Sequence, residues 1–160
     1  MDRDTVLVAF QHAWTGDDHS CLGLYYNAVD GPWKFLFYKL EPVQPQYGGW
    51  VGLSDLASLG NGVFLVLERH NQGGPDASIK RIYRIDIGDY SFAEGSKIAR
   101  LDKSLVRGLI PGFASYGGLV PERVEGLTVG ADGSVWVNND NDGADHNNGK
   151  HLLINVGSIV

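Results

Sequence analysis

One stretch of the chain repeats, and the repeat restricts the fold more than composition does. Moving residues 54–72 forward by 71 positions lays them on residues 125–143 without a gap. Leu56 falls on Leu127, Gly62 on Gly133, Val66 on Val137, Glu68 on Asn139, Arg69 on Asp140 and Asn71 on Asp142. Each copy reads as an apolar strand, a tight turn with glycine, a second apolar strand and a polar ending. A weaker third copy near the N-terminus puts Val6, Val8, Gln11 and His12 in the corresponding places. Recurring units of strand, turn, strand, loop and strand are the plan of a β-propeller blade.

Local signals agree with that plan. Asp132-Gly133 predicts a type I′ hairpin, in which both turn residues take positive φ, and Asp30-Gly31 and Asn61-Gly62 mark further turns. Strands are expected over residues 5–10, 22–29, 33–40, 53–59, 63–67, 79–87 and 151–156, with a short one at 97–101. Residues 102–110 read as a short helix with Asp102 as N-cap, ended by Pro111-Gly112. The expected fold is all-β, a single partial propeller domain over residues 1–160. Its blades fall at about 1–41, 50–101 and 122–160, with an inserted loop at 102–121. That makes about two and a half blades, where closure needs about four or more. The chain therefore reads as the C-terminal portion of a longer protein, or as half of a ring completed by a second copy. A missing N-terminal half or a homodimer partner would cover sheet edges that otherwise invite aggregation.

Composition excludes several classes. An apolar content of 43% argues against disorder, and 22 glycines favour β-structure with many turns. The net charge of −6 without a basic run argues against a nucleic-acid partner. No apolar window approaches the roughly 18 residues of a membrane-span candidate. Cys21 is single, so no disulfide closes within the chain. No Gly-x-Ser-x-Gly elbow and no phosphate-binding glycine loop is present.

The polar strand endings carry the candidate chemistry. An antiparallel hairpin returns its second strand beside the start of its first, which places Glu125 near Asn139, Asp140 and Asp142. Three carboxylates gathered there repel unless a cation or ligand compensates them. The run Asn138-x-Asp140-x-Asp142-Gly143, with Asp145 beyond, alternates oxygen ligands as the first half of a calcium loop does. It departs from an EF-hand, because Gly149 takes the twelfth position and no helices flank it. The metal candidates are Glu125, Asn138, Asp140, Asp142, Asp145 and Asp55, with Ca²⁺ as the ion; turn capping is the competing reading. A second group joins Ser54 and Asp55 to Glu68, Arg69, His70 and Asn71. There Arg69 is a candidate clamp for phosphate or carboxylate and Glu68 a candidate metal ligand or base, against a plain ion pair that stiffens the rim. Lys80, Arg81 and Arg84 read as a solvated strand face. His12 and His70 read as surface or capping residues, and Trp33, Phe35, Phe37 and Tyr38 as packing between sheets.

The segments VAFQHAW at 8–14, GLSDLASLGNGVFLVLERHNQ at 52–72, IKRIYRIDI at 79–87 and VEGLTVGADGSVWVNNDNDG at 124–143 together resemble the phytase-like family described as having esterase-like activity. The resemblance implies a propeller of about six blades, export to the periplasm or beyond, and acidic residues near a central channel. It also implies a hydrolase of phosphate esters or other small-molecule esters; the strand endings themselves, not the resemblance, offer Glu68, Arg69 and Glu125 as candidate catalytic residues. Calcium-dependent alkaline phytases are a more distant comparison. The alternatives are a non-catalytic binding or interaction propeller with a structural cation, and a sugar-lactone hydrolase.

Overall fold

The computed structural model describes residues 5–17, 21–28 (backbone only), 34–44, 46, 48–88, 90, 98–115, 117, 119–141 and 150–159. In chain order the strands are β1 (Thr5–Ala9), β2 (Cys21–Ala28), β3 (Lys34–Lys39), β4 (Val51–Gly60), β5 (Val63–His70) and β6 (Lys80–Asp86). There follow β7 (Arg100–Leu101), β8 (Lys103–Gly108), the helix α1 (Ile110–Ser115), β9 (Val124–Val129), β10 (Ser134–Asn139) and β11 (Leu153–Ser158). Among the described residues they make three sheets, ordered β1-β2-β3-β7, β4-β5-β6-β8 and β9-β10-β11. The fold is all-β in blade-like sheets, each begun by three strands that follow one another in sequence, with β7 and β8 as the fourth strands of the first two. β4 packs along β9 and touches β1, so the leading strands of the three sheets lie in succession.

The second sheet sits between the other two, which explains why β5 opens with an unbroken apolar run, residues 63–67, rather than an alternating one. Successive side chains on a strand point to opposite faces. Phe64 and Val66 therefore pack with Leu36, Tyr38 and Leu40 of the first sheet and its flank, together with Ile85 and Ile87. Leu65 and Leu67 face the other way, into Ile82, Val124, Leu127, Val135, Val137 and Ile154. Each such side chain contributes roughly 1.5–3 kcal/mol on burial.

The two hairpins pair the residues that the 71-residue offset equates: Leu56 faces Val66, and Leu127 faces Val137. Their turns differ. Asn61 (φ 51°) and Gly62 (φ 81°) both take positive φ and make a two-residue type I′ turn. At the second hairpin only Gly133 (φ 79°) does so, which corrects the type I′ expectation for Asp132-Gly133. The loop there runs from Gly130 to Gly133, closed by Gly133 N–H to Gly130 O at 2.9 Å and Gly130 N–H to Ser134 O at 2.7 Å. Asp132 instead accepts hydrogen bonds from the backbone and hydroxyl of Ser134, and these hold its carboxyl below the ordinary range.

Residues 103–108 are strand, not the helix expected over 102–110. Apart from half-buried Lys103 and Val106 its side chains are exposed, so β8 shows no apolar alternation, but it pairs antiparallel with β6. The helix begins later, at Ile110, with Pro111 in its first turn, where a missing N–H is tolerated. β7 leaves the second sheet and pairs parallel with β3 of the first, Phe37 beside Arg100 and Tyr38 beside Leu101. The expected turn at Asp30-Gly31 lies outside the described residues.

Candidate functional site

Strand alternation separates the two residues that the sequence reading grouped. Glu68 follows the face of Val66 towards the first sheet, and Arg69 follows Leu67 towards the third. Glu68 is fully buried. It accepts hydrogen bonds from the Tyr38 hydroxyl at 2.8 Å, the Glu41 backbone N–H at 2.7 Å and Lys103 Nζ at 2.7 Å. The Lys103 ammonium also meets Glu41 at 3.1 Å and lies over the rings of Tyr38 and Tyr83. Burial, and then the charge of Glu68, push the Tyr38 hydroxyl far above its ordinary value. Burial also raises Tyr83, to about 12. For Glu41 burial acts upwards, but the hydrogen bond and charge of Lys103 outweigh it and hold the carboxyl low. Glu68 thus anchors two sheets to each other.

Arg69 pairs with Glu125 on β9, Nη2 to Oε1 at 2.5 Å. Its Nε donates to Ser54 Oγ at 2.9 Å, and its guanidinium lies 5.3 Å from the centre of the Trp50 ring. Arg69 is 5% exposed in its side chain and Glu125 31%, so the carboxylate is the member of the pair that reaches solvent. No hydrogen bond reaches Glu125 Oε2 among the described residues. Beside Ser54 a cleft of about 330 Å³ opens between β1 and β4, lined by Leu7, Ala9, Gln11, Leu53, Ser54, Asp55 and Leu56. Gly52 admits this close approach: a Cβ there would meet the Gln11 carbonyl and the Trp50 ring. The Gln11 carbonyl accepts the Leu53 N–H at 3.0 Å.

The remaining candidates divide between backbone capping and solvent. Asp55 accepts the N–H of Leu56 through Oδ1 and that of Leu127 through Oδ2, each at 2.7 Å, and so ties β4 to β9. Asn138 stands exposed at the end of β10, over Gly126. Asn139 is buried, accepting from Leu152 N–H and donating to the Lys150 carbonyl. Asp140 is exposed in its side chain, and its backbone N–H donates to Arg123 O. Next to it, Asn141 Oδ1 is buried with no hydrogen-bond partner among the described residues. Asp142 and Asp145 lie outside the described residues, as does His146. Among the described residues no three His, Cys, Asp or Glu side chains gather as a metal group. His70 is buried: Nε2 donates to the Gly48 carbonyl, leaving Nδ1 to accept from the Ser78 hydroxyl. His12 is exposed and stands edge-on to Trp50 at 5.2 Å.

Lys80 overturns the reading of 80, 81 and 84 as one solvated face. Arg84 is exposed and Arg81 half-buried beside Tyr83 and Glu41, but Lys80 is fully buried. It lies directly across the strand pair from Arg69, and its ammonium donates to the backbone carbonyls of His70, at 2.5 Å, and Glu122. Burial, and then the positive charge of Arg69, lower its pKa to about 7. The available signal was its phase: Lys80 shares a strand face with Ile82.

The molecule is thus an all-β protein of blade-like sheets, with an ion pair spanning two leading sheets beside a polar cleft. A family model described as "Phytase-like: Esterase-like activity of phytase" matches residues 1–143. The chain belongs to this phytase-like family. No curated protein and no solved structure matches it.

Proposed function

We propose that this protein is a hydrolase of phosphate esters or other small-molecule esters, working at the rim where Arg69 meets Glu125. The observation that carries the reading is that one carboxylate is held at Oε1 by a buried arginine and is the partner that reaches solvent, while Ser54, which accepts from the same arginine, lines a cleft. Arg69 is fixed by Ser54, Trp50 and Glu125, so it supplies a preorganised positive charge for an anionic group without further ordering. In this mechanism Glu125 Oε2 takes a proton from a water. Glu68 acts at a distance, holding β5 against the first sheet.

Calcium belongs to the same proposal. Asn138, Asp140 and Asn141 present oxygen donors, and the unpartnered Asn141 Oδ1 fits a hard cation, which prefers such ligands. Asp142 and Asp145 would complete the set, with Glu125 approaching from β9. A cation held there would neutralise an ester oxygen and acidify a bound water.

Hydrolysis of nitrophenyl phosphate and nitrophenyl carboxylate esters, with Ca²⁺ or with chelator, tests the reading. Turnover is expected to need Ca²⁺ and to fall by about 10²–10⁴ in Glu125→Gln, the usual contribution of a general base. Turnover of neither ester class in the presence of Ca²⁺ would overturn it. Because Asp55 is committed to backbone N–H groups and Glu68 to its buried cluster, a second reading is a rim that binds anions without chemistry. Phosphate binding without turnover selects that one.

A further inference from the structure

The segment that delivers Glu125 to Arg69 has little structure of its own. Residues 120–123 enter β9 without helix or strand, and their backbone is pinned from outside. Val120 O accepts the Gly74 N–H at 2.8 Å, and Arg123 O accepts the Asp140 N–H at 2.9 Å. Gly73 lies so close behind Glu122 that a Cβ would come within 2.9 Å of the Glu122 nitrogen. Between these points the Glu122 carbonyl is held by the Lys80 ammonium, which also holds the His70 carbonyl, one residue beyond Arg69. A single side chain therefore grips the backbone one residue after Arg69 and three residues before Glu125.

We propose that Lys80 is a positioning residue: by tying the His70 and Glu122 carbonyls together across the sheet boundary, it sets the approach of Glu125 to Arg69. The charged groups facing it are Arg69 from β5, Glu122 from the pinned segment and Glu125 from β9. Arg69 repels it, and the acidic groups favour its charge. Its contacts are carbonyl oxygens rather than carboxylates, so it holds backbone and leaves Glu125 to Arg69. This role deepens the proposed function and rests on the same pair.

The test uses the whole chain and no substrate. The coupling between Arg69 and Glu125 is measured by a double-mutant cycle, Arg69→Met with Glu125→Gln, from denaturant unfolding. The cycle is repeated in Lys80→Met and, in case that variant does not fold, in Lys80→Arg, which keeps a charge but not the ammonium geometry. Positioning predicts that the coupling, read as a fold-change in unfolding constant, drops at least threefold in either background. If Lys80 only stabilises the fold, its replacement raises every unfolding constant by the same factor and leaves the coupling unchanged, which overturns the proposal. Failure of the ester screen with the coupling lost as predicted would remove the activity and leave Lys80 in this role.

Discussion

Lys80 lies among apolar side chains with an arginine across the strand pair, and this reverses the usual direction of pH dependence for a lysine. Its folded-state pKa is lowered to about 7 from the ordinary 10.5. Between these values the unfolded chain binds a proton that the folded chain does not, so stability rises with pH across that window. Below about pH 7 the buried ammonium carries its full desolvation penalty, on the order of a few kcal/mol. Urea unfolding at pH 6, 8 and 9.5 should show stability climbing in wild type relative to Lys80→Met. Parallel pH profiles for the two proteins would show that Lys80 titrates at an ordinary value. This residue was hard to read from sequence because a lysine in a strand is usually solvated; only register shows that its neighbour across the pair is the buried Arg69. Glu68 and Arg69 read from sequence as one group at the rim, with a mutual ion pair as one alternative, and the structure separates them. Adjacent residues on a strand cannot share a face, so Arg69 found its counter-charge on β9 of the third sheet and Glu68 found Lys103 on β8 of its own.

Among the elements, those marked by turn chemistry or apolar runs were readable. β3, β5 and β6 fall where the apolar and aromatic runs put them, and Asn61-Gly62 turns the chain as its residue types demand. β8 escaped notice because a largely exposed edge strand needs no apolar pattern; backbone pairing with β6 defines it. Asp55 shows the same limit at a candidate ligand. Its carboxylate caps β9 from β4, a contact between residues 72 apart that no local pattern reveals. Asp55→Ala leaves the Leu127 N–H without this acceptor and should lower stability by about 1–3 kcal/mol. The loss is expected to be equal with Ca²⁺ and with chelator. A loss that vanishes in chelator would make Asp55 a metal ligand instead.

At the scale of the whole molecule, the sandwiched second sheet makes the rim a product of three sheets, and a cation bound there would be felt globally. Ligand that binds only the folded state raises its stability by mass action. Millimolar Ca²⁺ should raise the thermal midpoint of wild type relative to chelator and leave Asp140→Asn/Asp142→Asn unmoved. An unmoved wild type would take calcium out of the proposal. The propeller-like plan was legible because repeat and turns coincide in the sequence, and the crossing of β7 was not, because two residues carry no periodicity. That crossing has a consequence for how the chain comes off the ribosome. The outer edge of the first sheet is made of Arg100 and Leu101, which emerge only after β4, β5 and β6 have been synthesised. Synthesis from the N-terminus therefore cannot supply the last strand of the first sheet before most of the second has appeared.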